Sequence, residues 1–136
     1  MPEGVGYGPQ NTASTGLKIN IIGDYAYAYG GLFQSSTTQT TELLFQTGSY
    51  LLVGTFQLNG PVDDDAPGSI NRSMAKLLLN GIPICIIANA AGDSGPFDVK
   101  QDIIIPPYTS VEVQVVGDGN EADRYGSVVI TGRIYK

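Results

Sequence analysis

The stretch MAKLLLNGIPICII, residues 74 to 87, leaves this chain little choice of local structure. Asn80-Gly81 is the preferred two-residue hairpin turn, because both central positions need a positive φ that few other residue pairs adopt. Apolar-rich runs flank it, Met74 to Leu79 before and Ile82 to Ile87 after. A β-hairpin with its tip at Asn80-Gly81 is therefore predicted. Pro83 has no N–H to give a ladder, so its strand is expected at a sheet edge or with Pro83 in a non-bonded position.

The rest of the chain repeats the same period of two, and helical periodicity is nearly absent. Leu17, Ile19 and Ile21 share one face of a predicted strand over residues 17–22. Asp24 to Tyr29 puts Tyr25, Tyr27 and Tyr29 on one face and small residues on the other, before a permissive Gly30-Gly31 pair read as a turn. Glu42 to Phe45 and Ser49 to Leu58 flank Thr47-Gly48, with Leu52, Phe56 and Leu58 on one face and Gly54 between them. A strand from Phe97 to Ile105 stops at Pro106-Pro107. Val111, Val113 and Val115 alternate with Glu112 and Gln114, the pattern of a half-buried strand. Tyr125 to Tyr135 turns Val128, Ile130 and Ile134 one way and Thr131 and Arg133 the other. Eight or nine short strands with turn signals every 8–12 residues or so make an all-β sandwich or barrel. Gln34 to Thr41, all Gln, Ser and Thr, reads as an exposed loop or a two-sided-polar edge strand, and the loop is preferred.

A single domain fits the 136 residues, which suffice for a core without staples. Charged residues are 15% of the chain and the net charge is −6. Such a surface repels a phosphate backbone, so no nucleic-acid partner is expected. Cys85 is the only cysteine, so no internal disulfide forms, and within Ile84-Cys85-Ile86-Ile87 it reads as a small buried hydrophobe. No apolar run approaches ~18 residues and no charged-then-apolar leader is present. Neither a membrane partner nor a secretion signal is expected.

The inventory for chemistry is thin. Histidine is absent, which removes a Ser-His-Asp arrangement and the commonest base and metal ligand. No catalytic residue, cofactor site or metal site is assigned. Two acidic stretches, Asn59 to Gly68 and Asp118 to Asp123, offer oxygen ligands of the kind Ca²⁺ takes, but neither has the spacing of a helix–loop–helix calcium site. They read as solvated loops. Gly4-Val5-Gly6-Tyr7-Gly8 follows no strand and opens no helix, so it lacks the mechanism of a phosphate-binding loop. Asn71-Arg72-Ser73 is formally a glycosylation sequon. A carboxylate-based hydrolase rests on nothing beyond Asp and Glu in loops. The tyrosine face of Tyr25, Tyr27 and Tyr29 has three readings: core, subunit interface, or a sugar-stacking platform.

Residues 1–16, MPEGVGYGPQNTASTG, cannot pack a core of their own. Glu3 is their only charged side chain, and Val5 and Tyr7 stand two apart. The stretch reads as an extended arm that orders on a partner, with Val5, Tyr7 and Pro9 as anchors, ahead of a folded domain over residues 17–136. Extended, it reaches up to ~50 Å.

The segments IIIPPYTSVEVQV and GSVVITGRIYK, with Pro106, Pro107, Val111, Val113, Gly132 and Ile134, resemble the late strands of jelly-roll modules of the tumour-necrosis-factor and complement-head type. TGSYLLVGTFQLNG resembles their central strand. The resemblance implies a single jelly-roll β-sandwich of about eight strands behind the arm. The opening block (residues 1–17), IIPPYT (104–109) and ADRY…TGRIY (122–135) are similar to small structural proteins of marine tailed bacteriophages. That resemblance implies a virion protein on the capsid exterior, a decoration or cement protein that stabilises a phage head. Its partners would be the major capsid protein or neighbouring virion subunits. Homo-oligomers are expected, with a trimer favoured. The alternative is a receptor- or glycan-binding head of a phage fibre.

Overall fold

The computed structural model describes residues 18–63, 72–89, 98–117, 119 and 121–136. The arm with Val5, Tyr7 and Pro9, the glycine stretch at 4–8, Asn71 and much of both acidic stretches lie outside them.

Nine strands form two antiparallel sheets. They are β1 (Asn20–Ile22), β2 (Tyr25–Ser35), β3 (Thr40–Gln46), β4 (Leu51–Asp63), β5 (Ser73–Leu79), β6 (Ile82–Ala88), β7 (Asp98–Ile105), β8 (Ser110–Gly117) and β9 (Glu121–Tyr135). The larger sheet has the order β1-β2-β9-β4-β7 and the smaller β3-β8-β5-β6. The pairings nest. β5 pairs with β6, β4 with β7, β3 with β8 and β2 with β9. The chain is thus one long hairpin rolled up, and its tip is the Asn80-Gly81 turn, where both residues take positive φ (54° and 81°). Contacts of β4 with β9 and of β5 with β8 close the roll. This is the jelly roll, in which two Greek keys wrap a single core.

Period two does the burying. Leu52, Phe56, Leu58, Val128, Ile130 and Ile105 from the larger sheet meet Leu43, Ala75, Leu77, Val111 and Val113 from the smaller, all with no exposed surface. At one end Thr47 ties the loops together. Its hydroxyl donates to the Pro106 carbonyl (2.8 Å) and accepts from the Thr109 N–H (2.8 Å). Near the other end Asn89, 3% exposed, bridges the sheets. It accepts from the Ser73 N–H (2.6 Å) and donates to the Gly60 carbonyl of β4 (2.5 Å). Asn89→Ala strips partners from two buried backbone groups and should cost about 2–4 kcal/mol, at roughly 1–3 kcal/mol for each unsatisfied group. Chemical denaturation measures it.

Several expectations need correcting. Gly30-Gly31 is no turn: β2 runs through it to Ser35, with a register shift between Tyr29 and Leu32 and Gly31 at φ 75°. The polar stretch Gln34–Thr41 is neither all loop nor one edge strand. β2 takes its start and β3 its end, and only residues 36–39 connect them. β4 reaches Asp63 and β9 starts at Glu121, so ladder hydrogen bonds claim part of each supposed acidic loop. The first strand is only Asn20–Ile22 rather than residues 17–22, and while Ile19 packs beside the core Ile21 is 43% exposed. Cys85 is half-buried and packs beside the core, and burial pushes its thiol pKa up. Pro83 does sit on an edge strand, β6.

Candidate functional site: the outer face of the larger sheet

The tyrosines are not core. Ala26 and Ala28 occupy the inner face of β2, at 2% and 0% exposure, which sends Tyr25, Tyr27 and Tyr29 outward. Tyr25 and Tyr29 are 61% and 54% exposed. The Tyr27 and Tyr29 rings pack at 4.9 Å between centroids, tilted by 42°, a favourable tilted geometry.

Strand register carries this face across the sheet. Tyr25 pairs with Ile22 on one side and Arg133 on the other. Arg133 pairs with Val53, and Val53 with Ile104. One row of outward side chains, Ile22–Tyr25–Arg133–Val53–Ile104, therefore crosses all five strands. Ile22 and Ile104 are exposed by 67% and 61%. The Arg133 guanidinium lies 5.5 Å from the Tyr25 ring centroid and 3.8 Å from the Asp24 carboxylate. Both charged groups are more than half exposed, so the ion pair adds little stability in water. The next row, Tyr27–Thr131–Thr55–Asp102, is more polar. Below it, Gln57, Asn59 and Ser127 bond to one another.

Two shallow hollows flank Val53. Tyr25, Tyr27, Thr131 and Arg133 line one of about 480 Å³, and Thr55, Asp102 and Ile104 line the other, of about 530 Å³. Among the described residues, no three His, Cys, Asp or Glu side chains gather as metal ligands. What this face offers is burial. Tyrosine brings large area, few rotors and a hydroxyl, and arginine over an aromatic ring is common where proteins meet.

Sequence alternation found Tyr25, Tyr27, Tyr29 and the outward turn of Arg133. It missed Ile22, Val53 and Ile104. Ile104 sits in the run Ile103-Ile104-Ile105, where no alternation marks which residues point out. The run itself was the available signal. Only the end of β7 is apolar on both faces, since Asp98, Lys100 and Asp102 share the outward side with Ile104.

Fold and face together define a jelly-roll sandwich with one aromatic, solvent-facing sheet. No family model matches the chain, and no curated protein matches it. Among solved structures it is similar to that of CBM51-2 in complex with GlcNAc and INT domains from Clostridium perfringens ZmpB, with 11% identity and a TM-score of 0.43. It is also similar to the infectious bursal disease virus Gx strain (19%, TM-score 0.39) and to the infectious bursal disease virus VP2 subviral particle (17%, TM-score 0.38). The matches cover 80% of this chain, but only 22% of the first and 32% of the other two.

Proposed function

We propose that this protein is a structural component of a virus particle, a decoration or cement protein on the exterior of a phage head. The row Ile22–Tyr25–Arg133–Val53–Ile104 carries the reading. It is a sheet face built to be covered. Copies of the chain cover it, closing a homotrimer, and the arm of residues 1–16 fastens each copy to the shell protein or a neighbouring subunit. Cyclic symmetry suits a site where capsomers meet.

Deleting residues 2–16 should abolish binding to purified capsids while the circular-dichroism spectrum and melting temperature stay unchanged. Capsid binding equal to that of the full chain would remove the arm from the account.

One observation favours a second reading, a glycan-binding head on a fibre. The tyrosine rings face solvent beside Thr131, Thr55 and Asp102, whose hydroxyl and carboxylate groups suit sugar hydroxyls. It predicts binding on a glycan array that is lost on replacing Tyr25, and labelling at fibre tips rather than over the whole head.

A further inference from the structure

The jelly roll has four sheet edges, and three are guarded. β1 is 3 residues long. β7 exposes Asp98, Lys100 and Asp102. β3 carries Glu42 and a register shift between Thr41 and Leu43. Short strands, charges and bulges are the usual protection against an unwanted extra strand. The fourth edge, β6, differs. No charged residue lies between Ile82 and Ala88, and Ile82, Ile84 and Ile86 are 65%, 51% and 56% exposed. Pro83 and the register shift beside it blunt only the first half of β6. From Cys85 to Ala88 it pairs regularly with β5 and, among the described residues, with no other strand.

We propose that residues 1–17 of one copy add as a strand to the β6 edge of a neighbouring copy, with Val5 and Tyr7 on the Ile84–Ile86 row. This rests on the reading of the N-terminal segment as an attaching arm and names where it attaches. Three observations select the occupant. The segment has a single charged side chain, Glu3, matching an edge that has none. Its apolar residues stand two apart, the period of a strand. And it joins the domain at Lys18, ahead of β1, which closes the larger sheet on the side away from β7, while β6 packs against β7. To reach its own β6, the segment must cross the sandwich, roughly 20 Å at ~4.8 Å per strand and another ~10 Å between sheets. That uses more than half of the ~55 Å that 17 extended residues span. A neighbour set beside β1 offers its own β6 directly. Arm to edge is a head-to-tail contact, and such contacts build a ring when the rotation between copies closes. Main-chain hydrogen bonds supply the affinity, and the isoleucine row sets the register.

The test uses two full-length variants, both with Cys85→Ala. One carries Tyr7→Cys, and the other carries Ile86→Cys with a size tag. Mixed and mildly oxidised, they should give a disulfide-linked species containing one of each. Its yield should be about tenfold above that from a Leu44→Cys partner, a position on the opposite edge, because docking raises the local thiol concentration. Val5→Cys serves as a second arm position, and melting curves check that each variant folds. A yield no higher than the Leu44→Cys control from both arm positions overturns the inference. Loss of capsid binding on deleting residues 2–16 would then still uphold an arm fastened elsewhere. A strong cross-link together with capsid binding that survives that deletion would uphold the strand addition and overturn attachment of the arm to the shell.

Discussion

Gly54→Val should cost about 3 kcal/mol or more and lower the melting temperature by roughly 10 °C, since a domain of this size loses a few degrees per kcal/mol. Gly54 pairs with Gly132 in the ladder between β4 and β9, the two inner strands that join β2 to β7. A Cβ at Gly54 would sit 2.7 Å from the Gly132 Cα and 2.8 Å from the Thr131 carbonyl carbon, and closer still to the Thr131 oxygen. These are backbone atoms of the neighbouring strand, so no rotamer change relieves the clash. The strands must part, and β4 and β9 hold Leu52, Phe56, Val128 and Ile130 in the core. Overpacking usually costs about 1–3 kcal/mol, and here the obstacle cannot yield as a side chain does. Gly119→Ala is the control. Among the described residues nothing lies within 4 Å of its added Cβ, and a change within about 0.5 kcal/mol is expected, as for ordinary surface sites. Equal melting temperatures for the two variants would mean that the strands do not approach so closely.

The roll was readable wherever a signal was local. Asn80-Gly81 marked its tip, because positive φ at two successive positions is a property of the residues themselves. The alternation in Val111, Val113 and Val115, and in Val128, Ile130 and Ile134, marked inner faces, because the other side of those strands is mostly polar. Where the signal depended on a partner strand, it failed. Gly30-Gly31 has turn chemistry, yet β9 pairs with Tyr29 and Leu32 on either side of it and holds the strand extended through a bulge. The polar run Gln34–Thr41 hides strand ends whose ladder bonds come from β9 and β8. The candidate site followed the same rule. The tyrosines announced themselves by their spacing, and the alanines between them settled which way they point. The row that extends them needed registers across five strands. Ile104 was hidden inside an unbroken run, as were the exposed isoleucines of β6.

Those runs bear on what the exposed face does. In a lone antiparallel sandwich the outer positions of an inner strand are expected to be polar, and Thr55, Gln57 and Asn59 of β4 conform. Val53 of β4 and Val129 of β9 depart from that expectation, at the levels of Tyr25 and Tyr29 of β2. The departures follow the tyrosine band across the sheet, as a contact surface would.

Replacing Tyr25 and Tyr29, the two more exposed of the three β2 tyrosines, tests the band. Tyr25→Ser with Tyr29→Ser removes two ring surfaces that point into solvent, and leaves half-buried Tyr27 and the inner alanines in place. The unassembled domain should keep its melting temperature within the few degrees that surface changes cause. Self-association should weaken far more. A central interfacial tyrosine is worth about 2 kcal/mol or more, so the pair removes on the order of 10³ in the association constant. Sedimentation velocity over a concentration series reads it directly: trimers for the native chain, monomers for the variant at the same concentration. Arg133→Ala should act in the same direction but less strongly, since it strips the guanidinium from Tyr25 without removing the ring. If the double variant assembles as the native chain does, copies meet through another surface and the band is left to another ligand. Sugar binding by the native chain, lost in the same variant, would then identify that ligand as a glycan.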